Sequence, residues 1–217
     1  MSLIKICGLS TQDALDAALD AGADMVGFVF FEKSPRDISI PLASALGRMV
    51  GKRAQKVALT VNATDDELDV IALSLRPDFL QLHGSETPER VTAIKERYGL
   101  PVFKAIGISG RDDFAATAAY ADVADWLLLD AKPPKDSELP GGNGQRFDWT
   151  LLAHLDRALP FMLSGGLDPS NVGEAIALAR PGGVDVSSGV EDLPGMKNPD
   201  KIRAFIAAAR AAYAPSL

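Results

Sequence analysis

Eight short apolar or β-branched runs recur along this chain, beginning near Leu3, Met25, Lys56, Asp78, Val102, Trp126, Pro160 and Val184, and most are followed by a segment rich in Ala and Leu. Five of the seven intervals between them are 22 to 24 residues long, near the ~25 to 30 that one strand, one helix and two short loops occupy. The other two, 31 and 34 residues, must carry extra loop. Helix starts are legible in Ser10-Thr11 before Asp13 to Ala21, in Thr64 before an acidic first turn and Leu68 to Leu75, in Thr87-Pro88-Glu89 before Arg90 to Tyr98, and in Asp168-Pro169-Ser170-Asn171 before Val172 to Ala179. Glycine or proline closes several of them, as in Gly22-Ala23-Asp24 and Pro181-Gly182-Gly183. Unbroken alternation implies parallel strands joined by right-handed crossovers, either in an open doubly wound sheet or in a closed barrel. Eight units favour closure. An open dinucleotide-binding sheet would also place Gly-x-Gly-x-x-Gly after its first strand, and the turn there reads Cys7-Gly8-Leu9-Ser10. The expected architecture is α/β, one (β/α)8 barrel domain spanning residues 1–217.

The chain can fill such a core: 47% of its 217 residues are apolar and 24% are charged, as in ordinary globular proteins. Its formal charge of −7 and the lack of any long basic run argue against nucleic-acid binding. Apolar stretches such as Met25 to Phe31 fall short of the ~18 residues that cross a bilayer. No export signal opens the sequence, so a cytoplasmic location and no membrane partner are expected. One cysteine cannot form an internal disulfide, and no Cys or His stands in a metal-ligand spacing, so no metal is expected.

In a barrel the chemistry gathers at the C-terminal ends of the strands. The residues there are Cys7, Phe30 to Arg36, Asn62, His83-Gly84, Gly107, Asp130, Ser164-Gly165-Gly166 and Ser187-Ser188-Gly189. The two late glycine turns follow strands seven and eight, where barrels commonly hold a phosphate on backbone N–H groups. Tight turns needing positive φ would read the same way. Leu3, Lys5 and Cys7 share one strand face, so the thiol points to the barrel mouth, as a base or as an inert core residue. Lys5 lies one layer deeper, where an ammonium needs a partner; strand eight adjoins strand one on closure, which predicts a pair with Asp185. Asp130 ends the apolar run Trp126 to Leu129 and is a candidate acid or base, or else a loop anchor. The long segment Ala131 to Asp148, with Gly141-Gly142-Asn143-Gly144, has the length of a substrate cover. Arg36 is either a carboxylate contact or a solvent-exposed arginine. His83, on its own, reads more readily as a hydrogen-bonded structural residue, and His154 falls inside the helix-like Trp149 to Leu155.

Taken together, these motifs resemble the phosphoribosylanthranilate isomerase family of TIM barrels. They run in order: Lys5-Ile6-Cys7-Gly8-Leu9, Lys33-Ser34-Pro35-Arg36, Val61-Asn62, Gln81-Leu82-His83-Gly84, Leu129-Asp130, the Gly141 to Gly144 run, Leu163 to Leu167, and Asp185 to Glu191. The resemblance implies an Amadori rearrangement of a phosphorylated aminoaldose carrying anthranilate, in tryptophan biosynthesis and without cofactor. It makes Asp130 the general acid and Cys7 the base, and sets Arg36 toward the anthranilate carboxylate. It places Gly166, Ser188 and Gly189 in a phosphate clamp, and carries over His83, Gly142 and Gly144 as substrate contacts. The partner implied is a small phosphosugar, and the protein a monomer or homodimer. Acid and base working at one pH need surroundings that push their pKa values apart, with that of Cys7 lowered. Two departures stand out: Asn143 where the family more often has threonine, and Asn198 where aspartate is usual. A related barrel isomerase acting on the histidine-pathway aminoaldose is the nearest rival, although it works with paired aspartates and no aspartate ends the fifth strand here. A catalytically silent phosphate-binding barrel is the other.

Overall fold

The computed structural model describes residues 2–133, 137, 139–142, 144–155 and 160–214. Eight strands close into one parallel barrel in chain order: β1 (Leu3–Cys7), β2 (Met25–Phe30), β3 (Gln55–Thr60), β4 (Phe79–Leu82), β5 (Val102–Ile108), β6 (Trp126–Ala131), β7 (Phe161–Leu163) and β8 (Gly183–Val186). Each begins within one residue of the position expected from the sequence. Closure is made by β1 against β8, with Lys5 opposite Asp185 and Ile6 opposite Val186.

The helices are α1 (Gln12–Asp20), α2 (Ile40–Val50), α3 (Asp65–Leu75), α4 (Pro88–Tyr98), α5 (Ala115–Ala118), α6 (Val172–Ala179) and α7 (Pro199–Tyr213). Local chemistry explains their starts. Thr64 caps α3 by accepting from the Glu67 N–H, while the Glu67 carboxylate accepts from the Thr64 N–H, a reciprocal capping box. Thr11 and Thr87 cap α1 and α4, and Pro88 occupies a first-turn position that needs no donor. Asn198 does at α7 what the more usual aspartate would: its Oδ1 accepts from the N–H groups of Asp200 and Lys201. Its amide also donates to Asp192, which a carboxylate cannot do. Asn143, the other departure, lies outside the described residues.

The helix layer thins on one side. After β5 there is only a 3₁₀ turn, Arg111–Phe114, with α5; after β6 the stretch Trp149–His154 is 3₁₀ rather than the α-helix its pattern suggested. A short hairpin, β9 (Glu191–Leu193) and β10 (Met196–Lys197), follows β8 and turns at Gly195 with φ of 83°.

Most of the core lies between barrel and helices, where outward residues such as Ile4, Ile6, Phe28, Leu80 and Leu129 meet Leu15, Leu68, Ile94 and Phe205. Inside the barrel, Met25, Val57, Phe103, Leu128 and Met162 form a separate apolar layer, with Phe79, Phe103 and Trp126 in tilted contact. Above it lie Cys7, Val29 and Leu59. The floor of the mouth is therefore packed, and what projects above it is polar.

Candidate active site

The strand ends open into one pocket lined by Cys7, Arg36, His83, Asp130, Gly142, Gly144, Gly166 and Ser188. Gly189, expected among them, does not line it. Its α-hydrogen side is pressed onto the Leu167 carbonyl with no room for a side chain, so it serves the turn that presents Ser188.

Cys7 ends β1 and is 3% exposed. A Cβ at position 27 would stand 2.9 Å from its Sγ, so Gly27 on β2 leaves the thiol its space. Beneath it the Lys5 ammonium, fully buried, donates to Asp185 Oδ1 at 2.9 Å, the pairing expected from strand closure. The Ser164 hydroxyl donates to the other oxygen of Asp185 at 3.3 Å. Burial would depress Lys5, but Asp185 and Cys7 together hold its pKa above the ordinary value. For Cys7 the expectation of a lowered pKa is corrected. Burial pushes the thiol up, the nearby Lys5 and Lys197 pull it down, Asp185 pushes it up again, and the net direction is upward.

Asp130 ends β6. Its Oδ1 accepts from the Ala131 N–H at 2.8 Å, and its Oδ2 lies 3.4 Å from Nε2 of His83. On the far side of that ring, Gln81 Nε2 lies 2.9 Å from His83 Nδ1. A Cβ at Gly141 would come within 2.5 Å of His83 Nε2 and 2.6 Å of Asp130 Oδ2. The described part of the long segment after β6 thus lies across the mouth directly over this pair.

Arg36 is 6% exposed, against the more frequent solvent-facing arginine. Two parallel bonds hold it: Nε donates to Glu191 Oε1 at 2.7 Å and Nη2 to Oε2 at 2.8 Å. Nη2 also donates to the Gly142 carbonyl at 3.3 Å, and Nη1 faces Gly142 across a gap that a methyl would fill. Gly142, Gly144, Gly165 and Gly166 all have positive φ, which admits glycine with little strain.

Two residues of the site were not expected. Glu191 stood in a quoted motif with no role, and Lys197 stood beside a noted departure. The Lys197 ammonium donates to Glu191 Oε1, to the Ser187 carbonyl at 3.0 Å and to the Ser187 hydroxyl at 3.1 Å. Burial alone would raise Glu191, but bonds to Arg36 and Lys197 bring it below the ordinary carboxylate range. Leu193-Pro194-Gly195 was the available signal for a hairpin that returns a side chain to the mouth.

A closed (β/α)8 barrel with a thiol, a carboxyl and a histidine facing one pocket at its C-terminal end defines an enzyme of acid–base chemistry. Comparison with known proteins narrows that class. The family of N-(5'phosphoribosyl)anthranilate (PRA) isomerases matches residues 4–208. An N-(5'-phosphoribosyl)anthranilate isomerase of Rhodopseudomonas palustris (strain ATCC BAA-98 / CGA009) is 60% identical over 211 residues, covering 97% of this chain and 99% of that one. The phosphoribosyl anthranilate isomerase structure from Thermotoga maritima superposes with a TM-score of 0.88 at 37% identity, over 97% of this chain and 100% of that one. Another structure of such an isomerase, in complex with reduced 1-(o-carboxyphenylamino)-1-deoxyribulose 5-phosphate, superposes at 0.85 with 35% identity over the same shares. The chain belongs to the N-(5'-phosphoribosyl)anthranilate isomerase family. Its reaction is the rearrangement of N-(5'-phosphoribosyl)anthranilate to the carboxyphenylamino-deoxyribulose phosphate in tryptophan biosynthesis, so the barrel is an enzyme and not a catalytically silent one. No helix among the described residues is long and apolar enough to cross a membrane.

Proposed function

We propose that Asp130 and Cys7 divide the two proton transfers of this rearrangement between them. Asp130 in its acid form protonates the furanose ring oxygen, the bond from that oxygen to C1′ breaks, and the nitrogen lone pair forms a protonated Schiff base. Cys7 as thiolate then removes the C2′ proton. The electrons of that bond form the C1′=C2′ double bond and neutralise the nitrogen, and the enolamine tautomerises to the ketone.

The observation that supports this division is that the β1 thiol and the β6 carboxyl line one pocket. The charge sequence fits it too. Burial resists a thiolate in the free enzyme, whereas ring opening creates a cation beside it just when the base is needed. Arg36, held from behind by Glu191, offers Nη1 to the anthranilate carboxylate. Gly166 and Ser188 present backbone N–H groups to the phosphate of a small phosphosugar, Gly189 shapes the turn that presents Ser188, and Gly142, Gly144 and His83 enclose the sugar.

Loss of anthranilate fluorescence measures the rate. Cys7→Ser and Asp130→Asn are each expected to lower kcat at least ~100-fold, the scale of general acid or base catalysis, with product binding retained. Near-wild-type rates in both would move the chemistry to other residues.

A further inference from the structure

The proton transfers above leave one buried charge at the mouth without a task. Arg36 and Lys197 both bind Glu191, and the side chains of all three are no more than 7% exposed. Two cations share one carboxylate. Lys5 already has Asp185 to itself, so the cluster behind Arg36 carries one positive charge in excess, in surroundings with little water to screen it.

Lys197 is directed by its bonds toward the first strand. All three of its donors are used, two of them on Ser187, and the Ser187 hydroxyl donates in turn to the Cys7 carbonyl at 3.1 Å. The charged groups facing the thiol are Lys5 from its own strand, Asp185 from β8 and Lys197 from β10, while β2 presents the uncharged Gly27 and Val29. Asp130 and His83 line the same pocket from β6 and the end of β4, and Glu191 and Arg36 stand behind Lys197. Asp185 balances Lys5, whereas Lys197 shares Glu191 with Arg36; burial lowers the Lys197 pKa while Glu191 and Cys7 raise it, and the hairpin cluster brings one cation more than its carboxylate to this side of the thiol.

We propose that Lys197 is a positioning residue for the thiol, fixing Ser187 against the Cys7 backbone and supplying the excess positive charge that makes the thiolate attainable in a buried site. It rests on the reading of Cys7 as the base. The hairpin β9–β10 is then part of the catalytic apparatus.

Cys7 is the only cysteine of the chain, so alkylation by iodoacetamide reports its ionisation directly, without turnover. In the full-length protein, Lys197→Met is expected to slow alkylation at pH 7 roughly tenfold and to move its pH midpoint up by about one unit. Lys197→Arg should keep the midpoint near wild type. Glu191→Gln, which enlarges the excess, should move it down. In turnover, Lys197→Met should displace the acid limb of kcat/KM to higher pH, where a merely structural role would lower the rate equally at every pH. A midpoint that Lys197→Met leaves in place, or that both neutral variants move in the same direction, overturns the proposal. Should Lys197→Met not fold, Glu191→Gln decides alone: a midpoint that rises or stays overturns it. Activity surviving in Cys7→Ser would instead remove the base assignment while leaving the alkylation result standing.

Discussion

The ammonium of Lys5 and the carboxylate of Asp185 meet at 2.9 Å inside the barrel, on the two strands that close it. Neither has water to fall back on, so removing one leaves the other charged and unpaired. Asp185→Ala is therefore expected to destabilise the fold by about 3–5 kcal/mol, read as a lower urea midpoint. Lys5 has a raised folded pKa, so its contribution is complete below the unfolded value of 10.5 and fades as pH rises through the higher folded one. A wild-type midpoint that starts to fall on the acid side of neutrality for this reason would contradict that sign. A variant within about 1 kcal/mol of wild type would show that the site relaxes to admit solvent.

Arg36 lines the pocket and is held by two bonds to Glu191, which fix the plane of its guanidinium. Arg36→Ala should raise KM at least tenfold and lower kcat less, since the carboxylate contact exists in both ground and transition states. Arg36→Lys should rescue little, because an ammonium cannot keep two parallel bonds and still reach the substrate. An unchanged KM in Arg36→Ala would remove the assigned contact.

Gly141 has ordinary backbone geometry, so its replacement by alanine tests space rather than strain. The added methyl would press on His83 Nε2 and Asp130 Oδ2 at once. Gly141→Ala is expected to lower kcat more than tenfold with the thermal midpoint within a few degrees of wild type. Equal rates would mean that the segment over the mouth yields freely.

With burial lifting the Cys7 thiol, alkylation in the free wild-type enzyme should still be climbing at pH 9, the ordinary value for the group, whereas a lowered thiol would have levelled off well below it. A plateau by pH 8 would show that Lys5 and Lys197 outweigh burial.

Much of this was legible in the sequence, because strand and helix patterns are local and eight of them in order leave few topologies. Even the Lys5 and Asp185 contact followed from closure and strand parity alone. The thiol and carboxyl of the site were found for the same reason: a strand end is a place that periodicity marks. What periodicity could not give was anything set by three-dimensional neighbours. Local pattern left Arg36 open between a carboxylate contact and a solvent-exposed arginine, because Glu191, 155 positions away, gives no local sign that it will bury it. The direction of Cys7 needed the depth of its pocket as well as its cations. Trp149 to His154 has the apolar spacing of a helix, yet it forms 3₁₀ structure, with Asp148 holding its first turn. Lys197 belonged to no repeat at all and reaches the mouth only because a two-strand ribbon folds it back.

Arg210, near the end of α7, donates to the Ser2 carbonyl at 3.1 Å and to the Gly22 carbonyl and the Asp24 carboxylate at 2.9 and 2.7 Å. This clasp gathers the first strand's entry and the last helix's exit on the underside, opposite the opening where substrate arrives. Losing that one guanidinium would loosen the seam of the barrel at its foot without touching a single group that lines the pocket.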